Sequence, residues 1–130
     1  MSRDLKYVIV DDDSFNNMLC SMIIHDILGE VETTTFTKPA EGLAYIQNIK
    51  SPTILFLDIN MPILTGWDFL EQYEKFSEEV KMNVSIYMLS SSLDQRDKDR
   101  AKRNKYVKGF ISKPLDVDTV TLIANGEFQT

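Results

Sequence analysis

Short unbroken apolar runs alternate along this chain with longer stretches in which apolar residues recur every three or four positions. The runs are 7–10 (YVIV) and 54–57 (ILFL), and the more mixed segments 84–89 (VSIYML) and 107–111 (VKGFI) are expected to be two further strands. Runs of this length with little polar alternation predict strands buried on both faces of a parallel sheet. Residues 31–36 (VETTTF) are β-branched but more polar, which predicts a strand at a sheet edge. Helical spacing fills the gaps. Phe15, Met18, Leu19, Met22, Ile23 and Ile27 predict a helix over 14–28, and Gly29 is a natural terminator. A second helix should start at Lys38 and Pro39 and bury Leu43, Ile46 and Ile49. Thr65 with Asp68 three residues on predicts a capped third helix, with Phe69, Leu70, Tyr73 and Phe76 inside. A fourth helix is expected over 94–105. A last one should run from Asp116 through Val117, Val120 and Ile123 to Gly126.

This alternation is (βα)5: an α/β fold in a single doubly wound domain. Right-handed crossovers would place helices on both faces of one five-stranded parallel sheet. The 130 residues are expected to form one domain over 1–130, with no effector domain after residue 130 and no linker or repeat within. Hydrophobic content of 43% and charged content of 26% suit an ordinary soluble globule. The net charge of −6 argues against a general nucleic-acid or anionic-membrane binder. Cys20 is the single cysteine, so no internal disulfide or cysteine metal cluster is expected, and buried packing is its role. No apolar run approaches a membrane span, and Ser2, Arg3 and Asp4 do not begin a signal peptide. A cytoplasmic protein is expected.

The chemistry gathers at the ends of the strands. Strands of one parallel sheet share a direction, and the ligand crevice of an open α/β sheet lies beyond their carboxyl ends. The first run delivers Asp11, Asp12 and Asp13, and the third strand delivers Asp58. Carboxylates meeting there repel one another unless a cation compensates them. Oxygen-only ligands without Cys or His suit a hard ion such as Mg²⁺. A blander assignment makes Asp13 and Ser14 a helix cap and leaves the other acids solvated; the two are compatible. The fourth strand adds Ser90 and the fifth Lys113. Carboxylates, a hydroxyl and an amine on one edge suit phosphoryl transfer to an Asp nucleophile, giving an acyl phosphate.

The fragments VIVDDD, FLDINMP with Gly66 following, MLSSS and GFISKPL occur in the order and spacing of a known family. Across essentially its whole length the chain resembles the receiver domains of two-component response regulators, of the chemotaxis-regulator type. The resemblance implies a flavodoxin-like sheet of order 2-1-3-4-5 and a cis Lys113-Pro114 peptide. It places Asp58 at the phosphoacceptor and Asp11 and Asp12 at the acidic pair, with Asp12 the more direct metal ligand. The backbone carbonyl of Asn60 matches the third protein ligand of Mg²⁺. Ser90 matches the switch hydroxyl, Lys113 the phosphate-contacting lysine and Phe110 the switch aromatic. Asn60 and Ser92 match positions that tune dephosphorylation. The implied donor is a sensor histidine kinase or a histidine phosphotransfer protein. The implied output is a downstream protein reading the surface of residues 93–126, with the chain a monomer or a weak phosphorylation-dependent dimer.

Ser90 stands where Thr is commoner, keeping the hydroxyl and losing a methyl. Phe110 stands where Tyr is frequent and cannot donate a hydrogen bond, so its inward and outward positions must differ by packing alone. Lys113 before Pro114 also suits a simple strand end, and Phe110 alone suits plain core. His25 has no ligand partner at helical spacing and is expected to be structural or surface. Trp67 and the methionines are expected to pack rather than form a cofactor box. The fourth helix is unusual, with Arg96, Lys98, Arg100, Lys102, Arg103 and Lys105 against Asp94, Asp97 and Asp99 and one apolar residue, Ala101. It suits either a solvated helix with Asp94–Lys98 and Asp99–Arg103 pairs or a lightly anchored helix that reports phosphorylation.

Three functions follow. The first is a phosphoacceptor switch, with a phosphate relay or sink as its variant without output. The second is a Mg²⁺-dependent phosphohydrolase of the haloacid-dehalogenase type, which needs an acid where Asn60 stands, and a cap domain. The third, a module of the same fold that is never phosphorylated, does not need the full set of acidic, hydroxyl and lysine positions.

Overall fold

The structure, a computed structural model, describes residues 5–92 and 94–128. Ser2, Arg3 and Asp4 at the charged start, Leu93 at the edge of the expected signalling surface, and Gln129 and Thr130 lie outside the described residues. The elements run β1 (Lys6–Val10), α1 (Ser14–Leu28), β2 (Thr33–Phe36), α2 (Pro39–Ile46), β3 (Thr53–Asp58), α3 (Gly66–Tyr73), α4 (Glu78–Asn83), β4 (Val84–Ser90), α5 (Gln95–Arg103), β5 (Val107–Ser112) and α6 (Val117–Ala124). The five strands form one parallel sheet of order β2-β1-β3-β4-β5, the expected topology. The polar strand β2 lies at an edge, where its thirsty backbone has one neighbour only.

β3 is the axis of the core. All six of its residues are buried, because each sheet face is covered. On one face Val8, Val10, Leu55 and Leu57 pack with Ile46 of α2 and Phe69, Leu70 and Tyr73 of α3. On the other, Tyr7, Ile9, Ile54 and Phe56 pack with Cys20 and Ile24 of α1 and Val120 and Ile123 of α6. Each such side chain contributes about 1.5–3 kcal/mol when fully buried.

The helix ends follow side-chain chemistry. Asp13 caps α1 by accepting from the Phe15 and Asn16 amides, and Gly29 ends it at φ 78°. Thr65 and Asp68 form the expected reciprocal capping box on α3. Asp94 caps α5 and Asp116 caps α6.

Two expectations need correction, the packing of the methionines and the ion pairs of α5, and two features were not expected, the inner arc of α1 and a short extra helix. The inner arc of α1 is Asn17, Cys20 and Ile24, while Phe15, Met18 and Met22 are exposed. Apolar residues occupy more than one face of this helix, so spacing alone did not pick the buried one. Met82 is exposed too, so packing does not account for every methionine. The short helix α4 had no sequence signal, since six residues are too few to show a period; Ser77 caps it through the Val80 amide. In α5 the expected i,i+4 ion pairs do not form among the described residues. The Asp94 carboxylate, already accepting from the Arg96 backbone amide, takes the Arg96 guanidinium at 3.0 Å, and the Asp99 carboxylate accepts from the Gln95 side-chain Nε2.

Candidate functional site

Strand register builds the site. Val10 stands opposite Leu57, so the residue just after β1, Asp11, follows it to the end of β3, where Asp58 is the last strand residue. Asp58 faces Leu89, and Ser90 faces Ser112, which brings Ser90 and Lys113 to the same sheet edge. The sequence places these four residues on four strands; the parallel sheet collects them.

Asp11 is the most enclosed of the acids. Its Oδ1 accepts from the Asp13 amide at 2.9 Å, and its Oδ2 accepts from Asn16 Nδ2 at 2.7 Å and lies 2.8 Å from Lys113 Nζ. Asp58 is buried as well, with Oδ1 3.3 Å from the same ammonium and 3.4 Å from the Asn60 amide that donates to it. Asp12 is exposed at the rim. Asp11, Asp12 and Asp58 each bring one oxygen to within 4.8 Å of the others. Burial pushes the Asp58 carboxyl up to about 6, and the Asp11 charge adds to the rise, against the pull of Lys113 and the Asn60 amide. Burial lowers the Lys113 pKa, but its hydrogen bond to Asp11 and the charges of Asp58 and Asp11 outweigh that and raise it.

The Ser90 hydroxyl, fully buried, donates to the Ser92 carbonyl and accepts from the Ser92 amide, each at 3.0 Å. Ser92 Oγ in turn accepts from the Asp94 amide at the start of α5. Phe110 is half-buried and lines a cleft of about 240 Å³ with Lys98, Ala101, Lys102 and Val107. The Lys113-Pro114 peptide is cis. His25 lies outside the site, its Nε2 3.1 Å from Thr33 Oγ1 and 3.2 Å from the Val31 carbonyl, a structural contact at the end of α1. Cys20 is buried, its thiol pushed up to about 11 by burial first and the Asp11 charge second.

Sequence reasoning missed Asn16, Asn17 and Ile63 here, and it placed Gly66 in a motif without giving it a role. Asn16 holds Asp11 Oδ2, and Asn17 Nδ2 donates to the Asp11 and Phe36 carbonyls, pinning the end of β1 to β2. An amide pair in the first turn after three acids was the available signal. Gly66 presses α3 against the end of β3: a Cβ there would lie 2.6 Å from the Asp58 carbonyl oxygen, and its amide donates to Ile59 O. Ile63 has φ 70° in a tight turn where the Leu64 amide donates to Pro62 O, and its side chain is wholly exposed. A β-branched residue is strained in that region.

The response regulator receiver domain family matches residues 7–125. The chain belongs to that family. The receiver fold is shared with a two component response regulator from Cytophaga hutchinsonii, 26% identical, covering 97% of this chain and 98% of that one with a TM-score of 0.88. A response regulator receiver protein from Dyadobacter fermentans is 22% identical over 97% and 99% of the two chains, with a TM-score of 0.86. The chemotaxis protein CheY4 of Vibrio cholerae is 23% identical over 95% and 98%, with a TM-score of 0.76. No curated protein matches the chain.

This receiver carries its acidic pocket at the sheet edge, and the donor set fits a divalent cation. The candidate ligands are oxygens, two of the three acids are buried, and the single Lys113 ammonium that bridges Asp11 and Asp58 offsets only one of their charges. Asp11 has all its oxygens engaged by the protein, whereas Asp12 is exposed and engages none of the described donors. Among the described residues no helix is long and apolar enough to cross a membrane.

Proposed function

We propose that this receiver is a phosphoacceptor switch in which Asp58 takes a phosphoryl group from a phosphohistidine protein. The observation that carries the reading is the row of Asp11, Asp58 and Lys113: a buried carboxylate with a raised pKa, beside a second carboxylate and under a bridging ammonium. With its carboxyl at about 6, Asp58 is mostly ionised at pH 7 and able to attack. Its oxygen forms the new P–O bond as the P–N bond to the donor imidazole breaks, and the imidazole leaves with the electron pair and takes a proton. The product is an acyl phosphate.

Asp12, Asp11, Asp58 and the Asn60 carbonyl would hold Mg²⁺, with Asp12 free to bind it directly. When bound, the ion supplies charge stabilisation to the oxygens of the transferring group. Lys113, released from Asp58 as that carboxylate is phosphorylated, turns to a phosphoryl oxygen. The Ser90 hydroxyl leaves the Ser92 turn for another, because a charged oxygen accepts a strong hydrogen bond. Losing that bond loosens the Ser90–Ser92–Asp94 link to α5, and Phe110 moves into the space Ser90 vacates. The surface over residues 93–126 then changes for a downstream protein, or for a second copy in a weak phosphorylation-dependent dimer. Asn60 and Ser92, both exposed at the rim, tune the attack of water on the acyl phosphate. On α1 the exposed stripe of Phe15, Met18 and Met22 offers an apolar surface that a sensor histidine kinase or phosphotransfer protein can cover while delivering phosphate. Residues 1–130 act as one receiver unit.

The second reading is a relay or sink without output. It is favoured by the Ser90 hydroxyl, which is already satisfied within its own turn. One experiment addresses both. Acetyl phosphate with Mg²⁺ should label Asp58, as located by mass spectrometry after borohydride trapping, and Asp58→Asn should lose the label; undiminished labelling of that variant overturns the assignment. Amide shifts on adding beryllofluoride and Mg²⁺ should then reach Ser90, Phe110 and residues 94–105. Shifts confined to Asp11, Asp12 and Asp58 select the relay.

A further inference from the structure

We infer that Arg100, stacked on Trp67, is a positioning residue that ties α5 to the phosphoacceptor loop through α3. The inference rests on Asp58 as the acceptor and adds a route from the pocket to α5 separate from Ser90 and Phe110.

α5 has few holds on the rest of the molecule. Ala101 is its one buried residue, and the ion pair and side-chain hydrogen bond recorded for it, Arg96 to Asp94 and Gln95 to Asp99, stay within the helix and its cap. Arg100 is the exception. Its Cζ lies 4.4 Å from the centroid of the Trp67 ring, well inside the range of a cation over an aromatic face. Glu71 and Glu74 line the same groove, yet Arg100 forms no ion pair with either among the described residues. The guanidinium is committed to the ring.

The ring has little freedom of its own. Trp67 is half-buried against the core and is the second residue of α3. The first, Gly66, lies so close to the Asp58 carbonyl that no Cβ fits between them, and its amide is bonded to Ile59. A shift of the β3 end on phosphorylation of Asp58 is therefore passed to the first turn of α3, and so to the surface on which Arg100 rests. Lys at this position would keep the charge and lose the flat stacking face.

Trp67 is the single tryptophan, so its emission reports the stack directly. The test compares wild type, Arg100→Lys and Arg100→Ala, first unmodified and then with beryllofluoride and Mg²⁺. Arg100 is exposed, so the variants should fold, and thermal melts check that they do. In the unmodified protein, Arg100→Ala should change the Trp67 emission and speed α5 amide exchange about two- to fivefold, with Arg100→Lys between. With the phosphoryl mimic, Arg100→Ala should bind it and label Asp58 from acetyl phosphate as wild type does. Its amide shifts over 94–105 should be reduced by about half, a loss that a merely structural Arg would not cause without also impairing labelling. If emission, exchange and shifts all match wild type, the stack is passive and the inference is overturned. If wild-type Asp58 takes no label, the switch reading fails, while the unmodified-state measurements still decide whether Arg100 holds α5.

Discussion

Strand β3 buries all six of its residues, whereas helix α5, nine residues long, buries Ala101 alone. One end of this contrast carries Asp58, the proposed acceptor, and the other carries the surface proposed to report on it. A carboxylate that must meet an incoming phosphorus needs a fixed position, and a strand packed on both faces provides it. The same packing is what raises the Asp58 pKa, so rigidity and reactivity have one cause. A reporting surface needs the opposite: two arrangements close in free energy, which little burial and a few polar holds supply.

The largest expected effect tests the contrast as such. Phe56 is fully buried in β3, and Phe56→Ala should cost about 3–5 kcal/mol through lost burial and the cavity left behind. Arg103→Ala on the exposed side of α5 should stay within about 0.5 kcal/mol. Urea unfolding measures both. Costs within about 1 kcal/mol of each other would mean that the two regions share one packing unit.

The same contrast explains what the sequence made legible. β3 was readable because an apolar run buried on both faces needs no periodicity, and the carboxylate at its end is conspicuous. Asp11, Asp12, Asp58, Ser90 and Lys113 were readable for the same reason: each follows such a run, and a parallel sheet leaves them one edge to share. The topology came from the family resemblance, and the register confirmed it. What was not readable depended on tertiary choice. The inner arc of α1 was decided by which side met Tyr7 and Phe56, not by the widest apolar set. Asn16 and Asn17 look like solvated helix-start residues until the end of β1 is seen beside them. The pairs of α5 followed the Asp94 cap, which claimed Arg96 before Lys98 could reach it.

A smaller effect sets Asp58 against its own strand. The folded Asp58 carboxyl, at about 6, holds its proton more tightly than an unfolded one at 3.8. Between those values the folded state binds more protons, so stability rises as pH falls through the window and is lowest where Asp58 is ionised. Asp58→Asn removes that cost. In Mg²⁺-free buffer at pH 8 it should stabilise the fold by up to about 3 kcal/mol, the full linkage, which already counts the pull of Lys113. Near pH 4 the gain should vanish. Thermal or urea unfolding across pH 4–8 measures it, and destabilisation at pH 8 would show that the Lys113 bridge outweighs burial. A variant more stable than wild type and unable to take phosphate would mark Asp58 as a site held at the expense of the fold.

The smallest effect asks whether α5 opens on its own. Ala101 faces inward at the middle of that helix, and Gly in its place loses helix propensity and the buried methyl, about 1 kcal/mol together. If α5 unfolds only with the whole domain, that loss appears in the urea midpoint and protection falls equally in β3 and α5. If α5 opens separately, as its single buried residue implies, the loss falls on the local equilibrium. Amides of residues 98–103 should then exchange about fivefold faster while those of 54–58 keep their rates. Native-state hydrogen exchange followed by NMR separates the two outcomes. Equal loss of protection in both segments would join α5 to the core and leave the phosphorylation signal without its loose element.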